Sequence, residues 1–119
     1  MKVTLKEWSV TPEQSTIPAG KINIFADNQG DEPHEIVIVR ADDPKTLPTI
    51  KDGGMDEEAL GEDKIVGEIE AFPAKSTCNG VFDLTPGTYV LLCNVVEKEA
   101  NGEIHDHFFF GMAATITVA

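Results

Sequence analysis

Between Cys93 and Met112 the chain reads CNVVEKEANGEIHDHFFFGM. These twenty residues carry one thiol, one thioether and two imidazoles, His105 and His107. A further imidazole, His34, stands far upstream in GDEPHEIVIV. An early His, a late Cys, a His soon after it and then a Met form a donor set suited to copper. Thiolate and thioether favour Cu(I), whereas imidazole suits both oxidation states. A trigonal His–His–Cys arrangement with a weak axial Met is acceptable to both, so little has to move when one electron is gained or lost.

Donors so far apart in sequence need a scaffold, and the pattern around them is mostly β. Residues 2–10 alternate loosely around Val3, Leu5, Trp8 and Val10, and Lys21–Ala26 places Ile22, Ile24 and Ala26 on one face. DNQGDEP is a turn cluster, followed by a strand from His34 to Arg40 whose IVIV run predicts burial on both faces. His34, Ile36 and Ile38 share a face by alternation. Residues 41–64 differ: Pro44, Pro48 and Gly53–Gly54 break them up, and only Met55–Leu60 reads as a helical turn. Weak alternation over 65–71, a strand over Thr77–Leu84, the turn Thr85–Pro86–Gly87, the apolar TYVLLC and a closing strand over 112–119 complete the chain. The expected architecture is a β-sandwich of seven to eight strands with one long polar excursion at about 41–64.

With 119 residues the chain is the size of one domain with one core, expected over 1–119. No apolar run is long enough to span a membrane. No secretory signal is visible, because Lys2 is followed by the alternating VTLKEWSV. The formal charge of −12 disfavours nucleic acid and favours basic partners. Residues 42–70 hold ten acids against three lysines, either a solvated loop or a docking surface. The two cysteines, Cys78 and Cys93, could pair as a disulfide or have separate fates, and Cys93 cannot both pair and ligate a metal.

Three blocks resemble the cupredoxins, and among them the plastocyanin-like electron carriers: IFADNQGDEPHEIVIV, FDLTPGTYVLLC and HFFFGMAATITV. Their order, each with the right donor atom, covers nearly all of the chain outside 41–64. The resemblance implies a Greek-key sandwich and one copper ion held by His34, Cys93, His107 and Met112. Residues alone leave His105 and His107 in competition. The family spacing of His, four residues, then Met selects His107 and leaves His105 at the surface. The resemblance also implies that Asn28 stands just behind the ligands, and that the Glu35 N–H, where the family usually has Asn, bonds the thiolate. Cys78 is then a half-buried strand thiol. The thirteen residues between Cys93 and His107 make a longer loop than plastocyanin-like proteins have.

Three consecutive aromatics, Phe108–Phe110, cannot all face inward on a strand. An apolar rim near the His107 edge, including Phe108 and Pro33, is therefore expected as a docking surface. The function implied is one-electron transfer by a monomer to a redox partner such as a basic cytochrome or a copper enzyme, not enzyme catalysis. The location implied is extracytoplasmic, periplasmic or secreted. Rival readings are copper delivery or resistance, a copper site open to small molecules, and a metal-free interaction domain.

Overall fold

A computed structural model describes residues 1–119. It is a β-sandwich. One sheet has strand order β2-β1-β4-β9, formed by β1 (Lys2–Lys6), β2 (Ser9–Pro12), β4 (Gly20–Asn28) and β9 (Thr77–Leu84). The facing sheet has order β3-β13-β10-β5-β8, formed by β3 (Thr16–Ile17), β5 (His34–Arg40), β8 (Ile65–Phe72), β10 (Gly87–Leu92) and β13 (Ala113–Val118). Four short strands pair outside these sheets: β6 (Thr49–Ile50) with β7 (Gly54–Met55), and β11 (Val96–Lys98) with β12 (Ile104–Asp106). The chain crosses between sheets after β2, β3, β4, β8 and β9, which is the Greek-key habit of sandwiches. No helix is long and apolar enough to cross a membrane.

The expected strand over residues 2–10 is in fact a hairpin. Lys6 pairs with Ser9, so Glu7 and Trp8 form its apex. Leu5 pairs in parallel with Asn28 of β4, which sets that apex beside the Asn28–His34 turn. The reversal brings Glu7 and Trp8 to the end of the sandwich where the metal-donor side chains lie.

β5 is buried on both faces, as IVIV requires. Ile36 and Ile38 enter the core between the sheets, while Val37 and Val39 form a second cluster with Val90, Leu92, Leu47 and Met55. Leu47 and Met55 belong to the excursion over 41–64, whose short helix α1 spans Glu57–Leu60. The excursion is thus more than solvated chain: it covers the outer face of β5 and β10, which would otherwise expose four large aliphatic side chains. Burial of each contributes about 1.5–3 kcal/mol.

Phe82 on β9 fixes the approach of the sheets at one edge. A Cβ on Gly67 would collide with its ring, and one on Gly80 would lie 2.7 Å from its Cζ. Both positions therefore have to be glycine for the ring to sit between them.

Candidate metal centre

Four segments meet at one end of the sandwich: the Glu7–Trp8 apex, the turn before β5, the segment after β10, and the turn from Asp106 to Met112. Backbone hydrogen bonds tie the last two together. The Cys93 N–H donates to the Met112 carbonyl at 3.0 Å, the Met112 N–H to the His107 carbonyl at 3.0 Å, and the His107 N–H to the Val95 carbonyl at 3.1 Å. Asp106 caps the turn by accepting from the Phe109 N–H at 3.1 Å, and its other oxygen accepts from the Gly54 N–H at 3.0 Å. Gly111 closes the turn at φ +116°, a conformation that side chains rarely adopt.

His34, Cys93, His107 and Met112 are all fully buried. His34 Nδ1 and His107 Nδ1 are 3.1 Å apart, and Cys93 Sγ lies 3.8 Å from the first and 3.5 Å from the second. A point equidistant from the corners of that triangle is about 2.0 Å from each, the length of a bond from a first-row metal to imidazole nitrogen. Met112 lies in the same core cluster as Cys93.

The outer ring nitrogens explain why the inner ones suit a cation. His34 Nε2 is 2.5 Å from Glu7 Oε2, and His107 Nε2 is 3.2 Å from Glu32 Oε1. An ionised carboxylate only accepts hydrogen bonds, so each Nε2 carries the proton and each Nδ1 presents a lone pair. Two lone pairs and a sulfur then converge in a space closed to solvent by burial of all three side chains. That arrangement is stabilised only by a proton or a metal ion between the donors, so the residues fit copper.

Titration behaviour follows the same burial. Desolvation pushes the Cys93 thiol up to about 12, against the opposing pull of the Glu35 and Val95 N–H groups. Burial lowers the proton affinity of His107, and the nearby His34 imidazole adds to this because two protonated rings would repel, although Glu32 pulls the other way. Burial would raise Glu7, but the Asp31 N–H and His34 outweigh it and hold its carboxyl below the ordinary value. Glu35 is pushed up to about 7 by burial and by Glu68.

The surrounding groups fall into place by residue. The Glu35 N–H points at Cys93 Sγ at 3.4 Å, and the Glu35 carboxylate accepts from the Asn94 N–H at 3.2 Å. Asn28 is buried and organises the turn before β5. Its Oδ1 accepts from the Gly30 N–H at 2.9 Å, and its Nδ2 donates to the Glu32 and Phe72 carbonyls at 2.9 and 3.3 Å. His105 lies outside the donor triangle on β12, with Nδ1 2.9 Å from both Glu32 Oε2 and Glu99 Oε1. It is mostly withdrawn from water, not a free surface residue. Cys78 is half-buried on β9 in the opposite sheet, and both cysteines are free. Pro33 is exposed, but Phe108 is half-buried against the second core cluster. Of the three consecutive rings the exposed ones are Phe109, 79% accessible, and Phe110, 39%.

Glu7, Trp8 and Glu32 were not expected at the site. Trp8 packs edge-on against His107, His105 and Phe110, with ring centroids 5.0, 5.3 and 4.9 Å apart. It covers the His107 edge that an open site would show to solvent. These contacts span dozens of residues and follow no local periodicity. The one local trace of the hairpin is a slip in phase: Val3 and Leu5 fall on odd positions, Trp8 and Val10 on even ones.

The all-β sandwich has counterparts among solved structures. Reduced auracyanin from Roseiflexus castenholzii matches with a TM-score of 0.68 at 20% identity, covering 99% of this chain and 94% of that one. The Az-iso2 azurin of Methylomonas sp. strain J matches at 0.66 and 13% identity, covering 100% and 96%. Auracyanin A of Chloroflexus aurantiacus, described as a blue copper protein, matches at 0.65 and 15% identity, covering 100% and 97%. No protein-family model matches the chain, and no curated protein does. The chain has the cupredoxin fold.

Proposed function

We propose that the protein is a mononuclear type 1 copper protein that carries single electrons, with His34 Nδ1, His107 Nδ1 and Cys93 Sγ as equatorial ligands and Met112 as the weak axial one. The observation that carries this reading is the buried donor triangle with sides of 3.1, 3.5 and 3.8 Å. Copper supplies the Cu(II)/Cu(I) couple. The chain's own residues keep the donors in one place for both states, exclude water and keep each Nε2–H donating to a carboxylate. Complete burial of the four side chains favours a carrier over a site that exchanges metal or admits small molecules.

On this reading residues 1–119 act as one domain, monomeric and extracytoplasmic. The electron leaves through Trp8 and Phe110 toward the exposed Phe109, and the acidic surface selects a basic cytochrome or copper enzyme. The test is colour. Cu(II) added to the reduced protein should give intense visible thiolate-to-copper absorption with a narrow copper hyperfine pattern. Copper bound without that absorption would mean that Cys93 is not a ligand, and the proposal would fall.

A further inference from the structure

Both site histidines, not one, are backed by a carboxylate. Glu7 reaches His34 from the hairpin apex, where its other oxygen accepts from the Asp31 N–H at 2.5 Å. Gly30 makes the approach possible: a Cβ there would collide with the Glu7 carboxylate and lie 2.8 Å from His34 Nε2. Glu32 reaches His107 with one oxygen and His105 with the other. His105 is therefore a strut that anchors Glu32 from the β11–β12 hairpin, the segment that makes the Cys93–His107 loop long. The Glu7 and Glu32 side chains are only 18% and 17% exposed, so their charges are weakly screened.

We propose that Glu7 and Glu32 are paired positioning residues that strengthen both imidazole donors, select copper's higher oxidation state and set a low reduction potential for the site. The inference rests on the copper reading above. A carboxylate on the outer nitrogen fixes the ring's tautomer and orientation and raises its basicity. Each carboxylate also adds negative charge beside the metal, which favours the ion of higher charge. The chain thus places two such groups on its two imidazoles, with Gly30 and His105 holding them there.

The test uses Glu7→Gln, Glu32→Gln and, as a control acid that touches neither histidine, Glu62→Gln. Cu(II) affinity should fall about 10- to 100-fold in each of the first two variants, with a smaller loss for Cu(I). The potential should rise by about 59 mV for each tenfold change in the ratio of the two affinities. Equal losses for both oxidation states, with no change in potential, would reduce the carboxylates to packing and overturn the proposal. An equal shift in the Glu62 variant would overturn it too, because the effect would then be one of overall charge. A second measurement does not depend on copper. In the zinc-loaded protein the Nε2 protons of His34 and His107 should resonate far downfield in slow exchange. Glu7→Gln should move only the His34 signal, and Glu32→Gln only the His107 signal. Both signals unmoved would overturn the inference, whereas absence of thiolate absorption in the copper protein would overturn only the copper reading.

Discussion

His34 and His107 face each other through their Nδ1 atoms at 3.1 Å, although 73 residues separate them in the chain. Each ring is fixed from behind, His34 by Glu7 and His107 by Glu32. The pair is therefore preset to receive a metal, and what completes the triangle is the sulfur of Cys93.

Cys93→Ser should abolish the visible absorption of the copper-loaded protein, and Cys78→Ser should leave it intact. Cys78 sits on β9, in the sheet that does not contribute donor atoms. In the metal-free protein a thiol reagent should label Cys78 well before Cys93, which is fully buried. Loss of colour in the Cys78 variant alone would reverse the assignment.

His107→Ala should disrupt the site and His105→Ala should preserve the visible band. His107 contributes to the triangle with Cys93 Sγ 3.5 Å away, whereas His105 reaches only carboxylates: Glu32, Glu99 and Glu103. Burial pulls His105 down, but those carboxylates outweigh it and raise its proton affinity. Its loss should thus be felt through Glu32 as a small change in potential. Absorption spectra and voltammetry of both variants decide the point, and a colourless His105 variant would place the loop in another register.

What could be read from the residues was what local pattern encodes. Alternation located β4, the IVIV run announced a strand buried on both faces, and each donor residue stood beside a recognisable strand or turn. What could not be read was set by distance and by chain reversal. The hairpin at Glu7–Trp8 leaves only a one-residue slip in the alternation, from Val3 and Leu5 to Val10, with no Gly or Pro to mark a turn. The covering role of Leu47 and Met55 was hidden in a segment dominated by acids and glycines. Phe108, expected at the rim, turns inward because the 41–64 excursion gives it an apolar surface to meet.

Met112→Leu should retain copper and raise the reduction potential. A thioether is a weak, long axial donor, so the three stronger ligands hold the ion without it. Removing its donation weakens Cu(II) more than Cu(I). Met112 is fully buried, and a swap of similar volume should cost less than about 1.5 kcal/mol of stability. Voltammetry and urea unfolding measure the two effects separately. An unchanged or lower potential would remove Met112 from the site.

Gly67→Ala should destabilise the fold by about 1–3 kcal/mol, the usual cost of overpacking a filled space. The added methyl would meet the Phe82 ring, which Gly80 confines from the other side. Pairing the change with Phe82→Leu should recover part of the loss in urea unfolding. Equal stability of parent and Gly67→Ala would show that the ring has room to move.

Transfer to a basic redox partner should slow as salt rises if the acidic excursion steers docking, because at physiological ionic strength charges are largely screened beyond about 8 Å. The structure dictates which acids to neutralise. Asp56 caps α1 through the Ala59 N–H at 3.1 Å, and Glu57 accepts from Asn94 Nδ2 at 3.2 Å, one residue from Cys93. Changing either would disturb more than the surface potential. Glu58, Glu62 and Asp63 are exposed and make no side-chain hydrogen bond or ion pair, so their joint replacement by Gln, Gln and Asn tests charge alone. Stopped-flow reduction of a basic cytochrome across a salt series should show a shallower salt dependence for the triple variant and an unaltered visible spectrum. If parent and variant respond to salt alike, docking is carried elsewhere, and Phe109→Ser then becomes the decisive change. That ring is the most exposed aromatic near the Trp8–Phe110 contact, and its loss should slow transfer at every salt concentration.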